Sequence, residues 1–248
     1  MRVHRLIGLF LVFYVAVTVV AALRQQGQPG GPAQAPPREQ QQGEAASQLP
    51  VADYDAPEPP DPETRTRRRA RGKKFDNSRL AVDPSYESTT ITSNGVAHLP
   101  ALPVAQSNTI VLGQVTAAQA YLSNDKTGVY SEFSVRLAEV LKGAPSAGLD
   151  VGNTVTADRL GGAVRFPSGK LGQYSVAGLG MPRAGRQYLL FLNCEAEACQ
   201  LLTGYELRAG RVWLLDNPGP GHPMNAYHGA AEAKLLNDVR GVISASAQ

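Results

Sequence analysis

The only two cysteines of the chain, Cys194 and Cys199, lie in NCEAEACQ (193–200) with two glutamates between them. A close cysteine pair ligates a metal, cycles between thiol and disulfide, or forms a structural cross-link. A zinc site requires two further ligands at a regular spacing, and nothing accompanies this C-x4-C. A redox pair prefers C-x-x-C. His222 and His228, in GPGHPMNAYHG (219–229), lack the i, i+4 spacing of H-E-x-x-H and read as polar surface of a Pro/Gly loop rather than as metal ligands. PSGKLG (167–172) places Leu171 where a phosphate loop needs Ser or Thr, and the motif's earlier glycine is missing, so it reads as a turn. No G-x-S-x-G marks a serine nucleophile. The chemistry-bearing residues therefore point to no catalytic set, metal or cofactor, and the expectation is a non-enzymatic protein.

Which cysteine reading holds depends on the compartment, and the N-terminus bears on that. Residues 6–23, LIGLFLVFYVAVTVVAAL, carry no charge, and Arg2 and Arg5 precede them. A basic flank followed by an apolar run fits a cleaved signal peptide or an uncleaved signal anchor. As a helix the run would span about 27 Å at ~1.5 Å per residue, just enough to cross a hydrocarbon core. It is longer than the apolar stretch of an ordinary signal peptide, though VVAA (19–22) would suit a signal peptidase. The excess of positive charge before the run keeps the N-terminus cytoplasmic, so residues 1–23 predict either a membrane-anchored protein with an extracytoplasmic domain or a secreted one. If the chain past residue 23 is exported, it lies in an oxidising compartment, where an even cysteine count means a disulfide. QYLLFLNC and CQLLTGYEL read as consecutive strands, so Cys194 and Cys199 face each other across a hairpin turn as a staple.

From 24 to 100 the chain is rich in Gln, Pro, Gly, Ala and charge, with no helical or strand period. Such a segment buries too little apolar surface to offset its ordering entropy, so it is expected to be a disordered linker. Inside it an acidic block, five carboxylates over 53–63, runs into a basic one: Arg65, Arg67, Arg68, Arg69, Arg71, Lys73 and Lys74. The basic block is either a contact for an anionic polymer or anionic lipid, or a solvated tract partly neutralised by its acidic neighbour. From 101 to 248 there are 12 Lys and Arg against 11 Asp and Glu, a near-neutral balance that argues against specific nucleic-acid binding.

The elements that position these residues begin near Leu102. TIVLGQVTAAQAYL (109–122) opens with β-formers, SNDKTG (123–128) is a turn cluster, and VYSEFSVRLAEVLKG (129–143) alternates Phe133, Val135 and Leu137 against Glu132, Ser134 and Arg136. Two long antiparallel strands follow from that pattern. NTVTADRL, QYLLFL, CQLLTGYEL and RVWLL add shorter strands, and the glycine-rich 161–185 between them reads as a loop with two short strands. Trp213, in RVWLL, reads as core or barrel rim. The loop 161–185 is the best place for a partner site, because irregular loops on a rigid scaffold commonly carry binding. Near the C-terminus Leu235, Leu236, Val239, Val242 and Ile243 fall on one face of a helix starting at Asn225 or His228. The fold class is mainly β: a small antiparallel barrel or sandwich over 101–248 with a C-terminal α-helix.

A V-x-G-x-V strand (111–115), a long strand ending in LKG (141–143) and a G-x-x-Y-L strand (185–189) occur in that order. This order resembles the netrin-like module of the tissue inhibitors of metalloproteinases, and a group of exported bacterial proteins of unknown function. The resemblance covers roughly 107–215 and implies an OB-like barrel. With no catalytic set, the expectation is a binding or interaction module, and export makes an envelope protein its expected partner; the resemblance offers the alternative of a protease inhibitor or regulator. The inhibitors chelate the protease zinc through an N-terminal cysteine, and Cys194 and Cys199 are internal, so nothing here corresponds to that group.

Overall fold

The computed structural model describes residues 49–78, 82–92, 96–143, 149–195 and 198–246. The apolar run 6–23 lies outside them. Among the described residues no helix is long and apolar enough to cross a membrane.

Among the described residues ten strands and two α-helices follow one another: β1 (Val51–Asp53), α1 (Pro62–Lys73), β2 (Ser88–Ile91), β3 (Thr109–Leu122), β4 (Val129–Lys142), β5 (Thr154–Leu160), β6 (Gly162–Arg165), β7 (Leu171–Val176), β8 (Gln187–Glu195), β9 (Ala198–Arg208), β10 (Arg211–Leu214) and α2 (Glu232–Ser246). The ladder β8-β3-β4-β5-β9 closes on itself through β8–β9, making a five-stranded barrel whose pairs are antiparallel except β5–β9. Alternation along the strands aims Val111, Val115, Phe133, Val135, Leu137, Tyr188, Leu190 and Leu192 into the barrel. Strand β8 also buries its other face, because Leu189 and Phe191 join Ile110, Leu112, Tyr205 and Leu207 in a second core. Burial on both sides is why QYLLFL reads as an unbroken apolar run.

Helix α2 covers that second core with Leu235 and Val239, and Leu236 and Ile243 pack beside them. Val242, expected on the same face, is largely exposed. The helix starts at Glu232, later than its sequence pattern implied. The residues upstream form a 3-10 turn (Pro223–Tyr227) instead, with His222 as its cap.

Glycines of the resembling motifs do backbone work. A Cβ on Gly113 would sit 2.7 Å from the Arg136 carbonyl oxygen, at a register shift in the β3–β4 ladder. Gly185 takes a φ of 81° at the entry to β8, a conformation that other residues rarely adopt.

For the described part of 24–100 the linker expectation needs correction, while 24–48 lies outside the described residues. Strands β1 and β2 pair in parallel with β6 and β7, completing a second, four-stranded sheet in the order β1-β6-β7-β2. Ala52 is buried in that sheet's core with Val164, Phe166 and Tyr174. Parallel pairing supplies ladder bonds that a three- or four-residue segment cannot find alone, so sequence pattern in β1 and β2 is faint. Helix α1 begins with Asp61, whose carboxylate accepts the Thr64 amide at 2.7 Å, and has Pro62 in its first turn.

Candidate functional site

The glycine-rich loop after β7 is fastened down by a buried ion pair. Arg159 on β5 and Asp216 beyond β10 are almost wholly shielded from solvent, with Nη1 2.6 Å from Oδ1 and Nη2 3.3 Å from Oδ2. Asp216 also accepts the Gly180 amide at 2.8 Å and the Thr203 hydroxyl at 2.6 Å. Arg159 donates onward to the carbonyl oxygens of Gly180 (2.6 Å) and Leu202 (2.8 Å). This network ties β5, β9, the loop and the segment after β10 together. Gly180 is required there, since a Cβ would fall 1.8 Å from the Leu215 carbonyl oxygen. A buried pair of this kind is not assured to add stability over an apolar replacement, but it holds its elements in one arrangement and punishes removal of either partner.

Above the network lies a groove of about 400 Å³. Leu179, Gly180 and Met181 form one wall, and Tyr174, Tyr188, Glu206, Arg208 and Trp213 stand around the rest. Trp213 is 37% exposed. The Arg208 guanidinium lies 4.9 Å from its ring centre, and the His228 ring meets it edge-on at 5.0 Å. Tyr188 accepts the Arg183 amide at 2.9 Å, and burial raises its hydroxyl above the usual tyrosine range. Glu206 is 3.9 Å from Arg186, which leaves Arg183 and Arg208 as the cations facing the opening. The groove thus combines an aromatic platform, an apolar wall and a positive rim, with no nucleophile paired to a base. Its Ser175 hydroxyl is instead bonded to that of Thr90 at 2.9 Å.

Cys194 and Cys199 are directly opposed across the β8–β9 hairpin and joined by a disulfide, as the adjacency of their strands predicted. His222 accepts the Met224 amide through Nδ1 and His228 packs on Trp213. Among the described residues no group of three or more His, Cys, Asp or Glu side chains is placed to hold a metal.

The basic block is divided by α1. Arg65, Arg68, Arg71 and Gly72 face the protein at helical spacing, while Arg67, Lys73 and Lys74 are exposed. The acidic neighbour is indeed a partner, since the Glu58 carboxylate takes Arg69 in a forked contact at 2.7 and 2.8 Å. Arg71 pairs with Glu132 on the outer face of β4 at 3.0 Å. Beside Glu132, across the ladder, Asp158 is buried with no hydrogen bond to either oxygen, and Lys74 stands 4.0 Å away. Burial pushes the Asp158 carboxyl up to about 6, against the pull of Lys74 and Arg71. Phe75 stacks on Tyr130 at 4.5 Å, and Gly72 and Gly128 allow the close approach: a Cβ on either would collide with Asn124 or Ser78.

Sequence reasoning missed Arg159 and Asp216, which are 57 residues apart and carry no motif. It singled out the loop 161–185, whose second half lines the groove.

These features define a mainly β protein built on a closed five-stranded barrel. No protein-family model matches the sequence, and no curated protein matches it significantly.

Proposed function

We propose that this chain is a non-enzymatic binding module, exported or held at a membrane by residues 6–23, whose partner seats a segment in the Trp213 groove. The observation that carries the reading is the exposed Trp213 with Arg208 stacked on it, beside a loop that the Arg159–Asp216 pair holds rigid. Exposed aromatic and arginine side chains over a preorganised floor are the usual anchors of recognition. The positive rim suits a segment carrying an acidic side chain next to apolar ones. A disulfide in an open hairpin fits an oxidising, extracytoplasmic location. Arg67 and Lys73 on the outer side of α1 form a second contact, for anionic lipid or polymer, and no specific nucleic acid partner is proposed.

The strand order of the barrel supports reading it as an OB-like module. Numbered within the barrel, its strands run 1-2-3-5-4, with the third and fifth parallel, which is the OB arrangement. That likeness favours the alternative of a protease inhibitor resembling the metalloproteinase inhibitors. With both cysteines in a disulfide, inhibition would have to use a barrel loop, and assays against metalloproteases with and without the Arg208→Ala change distinguish it from simple binding.

Trp213 is the sole tryptophan, so its emission reports occupancy directly. Peptides selected from a displayed library on the full chain are expected to shift that emission and to weaken about ten-fold or more on Arg208→Ala. Failure to enrich any peptide that perturbs Trp213 would remove the groove reading. Steady turnover of a peptide, ester or phosphate substrate by the purified chain would overturn the non-enzymatic one.

A further inference from the structure

A second cavity, of about 220 Å³, opens between the 52–59 segment, α1 and the β3–β4 hairpin. Four cations line it, Arg65, Arg68, Arg69 and Lys126, against two carboxylates, Asp53 and Glu58. Both carboxylates are engaged. Glu58 holds Arg69 and lies 3.7 Å from Arg65, and Asp53 is bonded to Arg165 at 3.2 Å. Arg65 spends its Nε and Nη2 hydrogens on the carbonyl oxygens of Pro59 and Pro60, both at 3.0 Å.

Two cations are left. Arg68 meets no carboxylate among the described residues and lies 4.4 Å from the centre of the Tyr121 ring. Lys126 lies 4.4 Å from the Tyr54 ring centre, donates to the Tyr54 carbonyl at 3.1 Å, and comes no nearer than 4.0 Å to the exposed Asp55. Its position is built rather than accidental. Lys126 takes a φ of 55°, uncommon for a side chain of this kind. The turn that imposes it is closed by Asp125, which accepts from Ser123, Thr127 and Asn77. Strain of this sort persists only where the surroundings enforce it, and it accumulates at ligand sites.

From this juxtaposition we propose that the cavity is a binding site for a small oxyanion, a phosphate or sulfate group, carried on a single ring. The Arg68 fork and the Lys126 ammonium take the anion from their places over Tyr121 and Tyr54, and the apolar lining of Ala52, Pro57 and Leu122 takes the ring. The volume lies below the usual range of ligand pockets, about 300 to 1,000 Å³, so it suits one ring-sized group and not a polymer chain. The site is independent of the Trp213 groove and of the outward face of α1.

Calorimetric titration of the full-length chain with phenyl phosphate, inorganic phosphate and phenol tests it. Phenyl phosphate is expected to bind about ten-fold or more tighter than either part alone. Arg68→Gln should weaken it by a similar factor, and Arg136→Gln, exposed on β4 and outside the cavity lining, should not. Lys126→Gly removes the ammonium but suits the positive φ, so it should lose affinity with no fall in melting temperature. Equal losses in Arg136→Gln and Arg68→Gln would show a diffuse polyelectrolyte and overturn the proposal. So would equal affinity for phosphate and phenyl phosphate, or no binding of phenyl phosphate.

Discussion

The barrel and the N-terminal arm formed by α1 and the residues flanking it, 58–78, are held by different forces. Every barrel strand contributes fully buried apolar side chains, and β8 buries both of its faces. Helix α1 buries only Gly72 and docks through Arg71–Glu132, Arg68 on Tyr121, and the backbone contacts of Asn124 and Asp125, with Phe75 just past its end as the apolar anchor. Apolar burial is non-directional and cumulative, whereas polar docking depends on a few distances and is weakened by water and salt. The barrel should therefore tolerate loss of the arm, and the arm should open without unfolding the barrel.

The largest effect is expected inside the barrel domain. Asp216→Ala leaves Arg159 buried without its carboxylate, which should lower stability by about 3 to 5 kcal/mol in urea denaturation and blur the groove around Trp213. A loss under about 1 kcal/mol would mean that the pair is not the fastening described here.

Asp158 sharpens the contrast from the arm's side. Its carboxyl is raised to about 6, so the folded state binds this proton more tightly than the unfolded chain, whose value is near 3.8. The stabilising share of this group is thus full below about pH 4 and is lost as pH rises through about 6. Asp158→Asn removes the penalty, and at pH 7 it should raise stability by up to about 3 kcal/mol, less the cost of burying its amide. The gain should shrink towards zero at pH 4, and a gain independent of pH would refute the assignment. The charged groups facing this carboxyl are Lys74, Arg71 and Glu132.

Reduction of Cys194–Cys199 should matter less. The closed loop is short, which puts the loss at or below about 2 kcal/mol by chain entropy, measured as the shift in urea midpoint with and without reductant. The smallest effect on the barrel is expected from Gly72→Val. The added side chain strikes Asn124, so limited trypsin should cut within 65–74 much faster, while barrel melting moves by no more than a few degrees. Global unfolding of that variant would erase the distinction between the two regions.

Much of the barrel was legible because its strands carry their own pattern. Phe133, Val135 and Leu137 alternate, 123–128 is a turn cluster, and the β8 run declares double burial. The disulfide was legible from strand adjacency. The arm was not, although Asp61, Pro62 and Glu63 form a readable helix start. What failed was the hydrophobic period: the face that docks is made of arginine stems and a glycine, and patterns of apolar residues do not register it.

Sequence by itself determined the β-rich class, the hairpin, the cysteine staple and the helix that closes the second core, because local alternation and short-range pairing follow from neighbouring residues. Only the tertiary structure decided that β1 and β2 join a sheet, that Arg159 meets Asp216, and that Arg68 and Lys126 stand over two tyrosines around one cavity. Those contacts join residues tens of positions apart, and no periodicity along a chain encodes which distant polar groups will share a site once the apolar core has closed.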